Sequence, residues 1–516
     1  MFLPDQRLLI VTIVSVVATL ISCGALVYFA KNAGLDPVRL TGDANGYVKL
    51  AYNLLNNGVF SIEPVEPFFP QSFRTPGYPT FLAGLLAIFS SEILVLFVQG
   101  LIVSAAAPFL YLLFRPYHER GAFWGSLIFA LEPVHLFLSA SFLSDALFTT
   151  LFLLSLLLLE YVRLHASFTG CAVVGVVSGL LILVRPIAIL LPLLYALYLI
   201  VRYTNLRKAI LGALLVCVFA LLTVFPWAYR NHRHFGSWSL SSVSSFNLVF
   251  YNASEFLKWK PNDSAKATLD AFRTEQGSLN SSYAFSLYRA GAAKDIFVQT
   301  IGGHEIEYAL FHVAKTIPFF ISDGLRDTIR LFKVDLGTPP NITTAVLRGD
   351  IATVFSYVTH GGLGILLLAI GSGFWAVILL LFGFESIRAL VRREWFPTLF
   401  IITLVAYFAL LTGPVSNARY RLPVEGFILV FASISLVRWY DTHYPGISPH
   451  NITIVDFSLN IQARCDILRC MSKKSRFLTL LDAAIWYRAG RRSVPCRCLG
   501  CWRERQSCRG TIAGTS

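Results

Sequence analysis

Long uncharged runs alternate with polar stretches along this chain, and the runs exceed what an ordinary globular element needs. A bilayer core about 30 Å thick is crossed by about 20 apolar residues in a helix. Leu8–Ala30, Ile93–Phe114, Ala166–Val184, Ala209–Tyr229, Ile351–Phe384 and Trp395–Ala418 meet that requirement. Ala122–Ser144, Ala146–Val162, Ile187–Val201 and Leu422–Val437 are weaker runs of the same kind. In hydrocarbon every backbone polar group must find a partner, so such runs predict helices. The expected fold is an all-α polytopic membrane protein with about ten transmembrane helices. Leu8–Ala30 is longer than the apolar core of a signal peptide and no small-residue cleavage site follows it, so it reads as an anchor.

Two polar segments, about residues 31–92 and 230–350, interrupt the apolar pattern. In the first, apolar residues at 47, 50, 51, 54 and 55 form a helical stripe. Gly58 is its stop signal, and Asp43 stands at or near its N-cap. A proline-containing linker (Pro64, Pro67, Pro70) leads to Phe73-Arg74-Thr75-Pro76-Gly77-Tyr78-Pro79. Pro76–Phe89 is apolar but short, and reads as an amphipathic or re-entrant helix on the outer face. In the second segment, Ser239–Phe250 suggests a short strand. Glu305–Phe320 suggests an amphipathic helix carrying Ile306, Ala309, Leu310, Val313 and Ile317 on one face.

Composition sharpens this picture. Of the 516 residues 55% are hydrophobic and 14% charged, against roughly 25% charged in a soluble domain. Disorder is excluded and a soluble enzyme disfavoured. The net charge of +14 would suggest nucleic acid, but its distribution points elsewhere. Arg7, Arg115, Arg120, Arg163, Arg202, Arg207, Lys208, Arg388, Arg392 and Arg393 fall on one side if both termini are cytoplasmic. Residues 441–516 hold 12 basic and five acidic residues, a net +7 that is half the total. That charge would face anionic cytosolic lipid. No nucleic-acid partner is expected. Residues 1–440 are read as the membrane domain and 441–516 as a basic, disordered cytoplasmic tail. Cys23, Cys171 and Cys217 lie in apolar runs, while Cys465, Cys470, Cys496, Cys498, Cys501 and Cys508 lie in the tail and are expected to be reduced.

Candidate chemistry is sparse. P-loop, dinucleotide and nucleophile-elbow patterns are all missing, which leaves nucleotide-sugar use without support. His232, His234 and His304 make no zinc motif, and there is no clear DxD pair, so no essential metal is expected, although a divalent cation stays open. Glu132 and His135, within a predicted span, are read as structural groups facing a neighbouring helix. Five glycosylation sequons (Asn252, Asn262, Asn280, Asn341, Asn451) matter only in a glycosylating host.

Several motifs resemble those of the GT-C superfamily of membrane glycosyltransferases, in particular the protein-mannosyltransferase-like enzymes (glycosyltransferase family 39-like) and their relatives the lipid A aminoarabinose transferases. The motifs are Gly42-Asp43 … Tyr47 … Gly58 … Arg74-Thr75-Pro76-Gly77-Tyr78-Pro79, Ser144-Asp145-Ala146, Val184-Arg185-Pro186, Pro226-Trp227 … Arg230-Asn231, and Ala418-Arg419-Tyr420-Arg421-Leu422-Pro423. They occur in family order over about residues 8–440. The resemblance implies transfer of a sugar from a polyprenyl-phosphate donor to a glycan, lipid or protein acceptor outside the cytosol, in a bacterial inner membrane. It makes Asp43 the candidate general base, with Asp145 as a helper. Arg419 and Arg421 are first choices for the donor phosphate, followed by Arg185, Arg74 and Arg230, because guanidinium pairs bidentately with phosphate oxygens. Tyr47, Tyr78 and Tyr420, inside the same motifs, are candidate substrate contacts. The alternative is a lipid or sugar transporter or flippase, which would be expected to show broken midplane helices and inverted repeats.

Overall fold

Apolar runs of this length close their backbone hydrogen bonds locally, and helices dominate the structure; no strand occurs among the described residues. A computed structural model describes residues 5–279, 281–324, 345, 347–360 and 362–444, all within one compact unit. The tail with its six cysteines, and Asn280, Asn341 and Asn451, lie outside the described residues.

The helices are α1 (Gln6–Asn32), α2 (Gly42–Asn57), α3 (Gly77–Ile88), α4 (Glu92–Val103), α5 (Ala106–Leu131), α6 (Pro133–Ser139), α7 (Ser144–His165), α8 (Phe168–Val184), α9 (Leu191–Arg202) and α10 (Leu206–Phe235). Short helices follow: α11 (Val243–Asn247), α12 (Ser254–Trp259), α13 (Asp263–Ser278), α14 (Ser281–Ala284), α15 (Ala290–Ile301), α16 (Glu305–Ala314) and α17 (Ile317–Ile321). The chain ends its described part with α18 (Ile351–His360), α19 (Gly362–Val391), α20 (Trp395–Thr412) and α21 (Ala418–His443).

Seven helical stretches are long and apolar enough to cross a membrane, with Gly77–Ile88, Phe168–Val184 and Pro186–Arg202 as shorter apolar helices. One of the seven, Glu92–Leu131, hides a reversal. His118 has non-helical backbone angles (φ −160°, ψ 94°), and its Nδ1 accepts from the Gly121 amide. Before it, Phe114 meets Phe427 and Phe431; after it, a Cβ on Gly121 or Gly125 would strike the backbone of Ile434 or Val430. The two arms therefore run back along the same helix, α21. Counted as two segments, and with the 168–184 and 186–202 helices added, they bring the total to ten, the number expected from the sequence. α21 is the hub: almost entirely buried, it packs against α5, α7, α19 and α20.

The two polar segments depart from expectation in detail. Residues 243–259 are helical, with a π turn at Leu248–Ala253, so the expected strand at 239–250 does not form. Val249, Leu257, Leu269, Phe272, Ala293 and Ile296 make a small core there, and strong apolar content without alternation suits helix packing as well as a strand. The helix expected at 305–320 forms but breaks after Ala314, just before Pro318 sets the first turn of α17. Ile306, Leu310, Val313 and Ile317 of its apolar face are exposed, and Phe311 is buried.

Candidate functional site

Five elements converge at one end of the bundle. Thr41 is the N-cap of α2; its hydroxyl accepts from the Ala44 amide at 3.1 Å, and Gly58 ends the helix in the left-handed region (φ 66°). Asp43 is thus inside the first turn rather than at the cap, where a carboxylate complements the helix dipole. Val48, Leu50 and Ala51 of the same helix are buried.

Arg74 is delivered by the linker before α3. The Thr75 hydroxyl donates to the Val184 carbonyl, and a Cβ on Gly77 would lie 2.6 Å from the Leu183 backbone. Only glycine lets the start of α3 press against the end of α8, and that contact brings the segment carrying Arg74 against the segment that leads into Arg185. α8 stops there because a residue preceding proline avoids the helical region; Arg185, before Pro186, is extended (φ −145°, ψ 122°). Asp145 lies in the first turn of α7, whose N-cap is Leu143, so it caps nothing. Arg419 enters at the start of α21, where Asn417 Oδ1 accepts its amide at 3.0 Å.

The side chains form one continuous ion-pair chain. Arg74 Nη2 donates to Asp43 Oδ1 at 2.7 Å, and Arg419 Nη1 donates to Asp43 Oδ2 at 3.0 Å. Arg419 Nε donates to Asp145 Oδ2 at 2.9 Å, and Arg185 Nη1 donates to Asp145 Oδ1. All four carboxylate oxygens are engaged, by three guanidiniums, so the group carries a net positive charge. Asp145 is only 1% exposed, whereas Asp43 remains half-open at 42%. Burial pushes the Asp43 carboxyl up, but Arg419 and Arg74 outweigh it and hold the group below the ordinary aspartate range.

Aromatic rings fix the guanidiniums. Arg74 stacks over Tyr47 at 4.7 Å, and Arg185 lies 5.4 Å from the Tyr420 ring centre. Tyr47 packs edge-on against Tyr78, and its hydroxyl is 3.2 Å from Ser144 Oγ. Tyr78 is fully buried and donates to Gln99 Oε1, while Gln99 Nε2 donates to the Ser141 carbonyl. A Cβ on Gly46 would sit 3.0 Å from the Arg74 guanidinium. Gln99, Ser144 and Gly46 were not singled out from the sequence as site residues; an uncharged polar residue inside an apolar run is the signal that marks Gln99.

Two candidates stand elsewhere. Arg421 is fully buried and donates to Glu425 and to the Phe319 and Phe320 carbonyls; its guanidinium lies 3.5 Å from the Trp375 ring centre. It ties α21 to α17 and reaches neither carboxylate of the chain. Arg230 donates to the Gln71 carbonyl and to Asn231, among Phe60, Trp227 and Phe235. Glu132 is the N-cap of α6, accepting from the His135 amide. Among the described residues no three His, Cys, Asp or Glu side chains gather to hold a metal ion.

Residues 73–229 match the family model of the dolichyl-phosphate-mannose-protein mannosyltransferases. The matched range contains Arg74, Asp145 and Arg185 and stops short of Asp43 and Arg419. The match supports the class that the motifs resemble, the GT-C membrane glycosyltransferases. No curated protein matches the chain. Solved structures with a similar outline include the Archaeoglobus fulgidus oligosaccharyltransferase tethered to an acceptor peptide containing the NVT sequon (15% identity, 95% of this chain and 56% of that one, TM-score 0.48). The same organism's oligosaccharyltransferase AglB with an inhibitory peptide and a dolichol-phosphate is another (15% identity, 93% and 55%, TM-score 0.45). The chain spans about half the length of these structures.

Proposed function

We propose that this protein is an integral-membrane inverting glycosyltransferase that moves a sugar from a polyprenyl-phosphate donor to a hydroxyl-bearing acceptor on the outer face. The observation that carries the proposal is the chain Arg74–Asp43–Arg419–Asp145–Arg185 at one end of an apolar bundle. A donor of this class places its phosphate at the membrane edge and its chain in hydrocarbon.

In this reading Asp43 and the phosphate compete for the same guanidiniums. When the donor phosphate takes N–H groups of Arg419, Arg74 or Arg185, Asp43 loses ion-pair partners and becomes a stronger base. It then accepts the proton of the acceptor hydroxyl as that oxygen bonds to the anomeric carbon. The bond from that carbon to the phosphate oxygen breaks, and the arginines stabilise the leaving phosphate. Asp145, walled in by two arginines, orients them and takes no proton. Tyr47, Tyr78 and Tyr420 hold the guanidiniums in place, and no metal is required. A chain of charge gathered at one end, rather than along a path through the bundle, supports an enzyme over a transporter or flippase.

The test is glycan and lipid analysis of membranes with and without the protein, and with Asp43→Asn. Transfer should fall by about 10²–10⁴-fold, the worth of a general base, while expression and insertion persist. Near-normal transfer by Asp43→Asn would remove Asp43 from its role.

A further inference from the structure

A cavity lies at the end of the bundle opposite the ion-pair chain, among α5, α7, α9, α19, α20 and α21, with a volume of about 820 Å³ including its open mouth. Its end of the bundle is fixed by neighbours: Arg120 pairs with Asp441, and Arg115 with Asp5, on the same turns that carry His118 and Arg438. Asp145 and Arg419 belong to the other ends of α7 and α21, and neither they nor Asp43 contribute to its wall.

The wall is divided. Phe114, Leu156, Leu404, Phe427 and Phe431 make an apolar floor. Glu160, Tyr198, Glu385 and Arg438 make a polar edge. Glu160 is satisfied, accepting from Arg163 and from Tyr198. The Glu385–Arg438 pair is not. Arg438 Nη1 donates to Glu385 Oε1 at 2.7 Å, but Glu385 Oε2 is buried without a hydrogen-bond partner. The Glu385 side chain is 4% exposed, and a buried oxygen without a partner in a residue that lines this cavity is a costly arrangement unless a donor is supplied. The Arg438 side chain is the more open member of the pair, 17% exposed.

We propose that this cavity binds a zwitterionic phospholipid with a primary-amine headgroup, from the leaflet opposite the transfer site. The ammonium N–H groups meet Glu385 Oε2, the phosphate meets the remaining donors of Arg438, and acyl chain fills the aromatic floor. An acceptor and cationic donors side by side on one ion pair complement an ammonium and a phosphate side by side on one headgroup. A quaternary ammonium has no N–H to give, and a glycerol headgroup has no charge for Glu385.

Purified full-length protein reconstituted in nanodiscs, read by native mass spectrometry after lipid competition, tests this. Phosphatidylethanolamine should be retained over phosphatidylcholine and phosphatidylglycerol of the same acyl chains by about tenfold or more, the worth of a charge-assisted hydrogen bond. Glu385→Gln should abolish that preference. Leu404→Trp, which fills the floor without touching the ion pair, should reduce retention of all three. Equal retention of the three lipids by the wild type, or no retained lipid, would overturn the proposal. The wild-type comparison stands even if a variant folds poorly, and it does not depend on the activity proposed for the other end.

Discussion

Arg419 is the joint of the ion-pair chain, and its removal is the most informative single change. It makes two contacts to Asp145 Oδ2 and one to Asp43 Oδ2. Asp145 is 1% exposed and would keep only Arg185. Stripping one partner from a buried ion pair costs about 3–5 kcal/mol; with Arg185 still in place, the lower end applies, about 3 kcal/mol of stability. Asp43, more open and still paired with Arg74, loses less. Catalysis should suffer more than folding. If Arg419 moves from Asp43 to the donor phosphate during the reaction, its loss removes a transition-state charge partner, worth about 10²–10³-fold in kcat. Arg419→Lys separates the two effects. Lysine keeps the charge but cannot bridge two carboxylates with a planar fork, so it should recover part of the stability and little of kcat. The assay is initial-rate transfer from a lipid-linked sugar by purified protein, alongside a thermal melt. Should Arg419→Ala retain both the donor KM and kcat, the partner-exchange mechanism is wrong.

Further outcomes follow from the same geometry. Arg421→Ala should leave Glu425 buried without its cation and two carbonyls of α17 without a donor, costing about 3–5 kcal/mol and folded yield; a changed donor KM in the protein that does fold would place Arg421 at the site after all. Gly77→Val should push α3 off the end of α8, with which a Cβ already collides at 2.6 Å, and lower transfer by displacing Arg74; wild-type activity would show that this contact does not set the site. Because the Asp43 carboxyl is held below its ordinary range, its ion pairs contribute fully above about pH 4 and are lost as pH falls through the lowered value. kcat/KM, which reports the free enzyme, should therefore show no acid limb from Asp43 between neutrality and about pH 4; an acid limb near pH 6 that disappears in Asp43→Asn would contradict the arginine pairing.

Much of the fold was legible because length and apolarity decide it. The turn at 115–120, read from Arg115 and Arg120 flanking two apolar runs, is the reversal at His118. The outer segment was harder. An apolar helix face need not pack against the rest of the chain, and Ile306, Leu310 and Val313 are exposed. The members of the ion-pair chain were all named from the sequence, but their pairing was not. Contacts such as Arg419 to Asp43 join residues far apart along the chain, and a single sequence carries no measure of that distance.

One misplacement could have been avoided by the helix geometry alone. Arg419 and Arg421 were paired as phosphate ligands because they are close in sequence and flank Tyr420. Yet Leu422–Val437 was already read as a helix, and Pro423 suits the first turn of one. If that helix begins at Ala418, as it does, residues two apart point about 200° away from each other. Only one of the two can face Asp43 of α2 and Asp145 of α7. The other must face the bundle, where a guanidinium needs a charge partner and hydrogen-bond acceptors. Arg421 finds these in Glu425 one turn on, in two free carbonyls of α17 and in the Trp375 ring. Glu425, four residues after Arg421, was the visible partner in the sequence. The same spacing rule therefore assigns Arg419 to the site and Arg421 to the bundle. It also explains why the two arginines should fail in different ways, one through turnover and the other through folding.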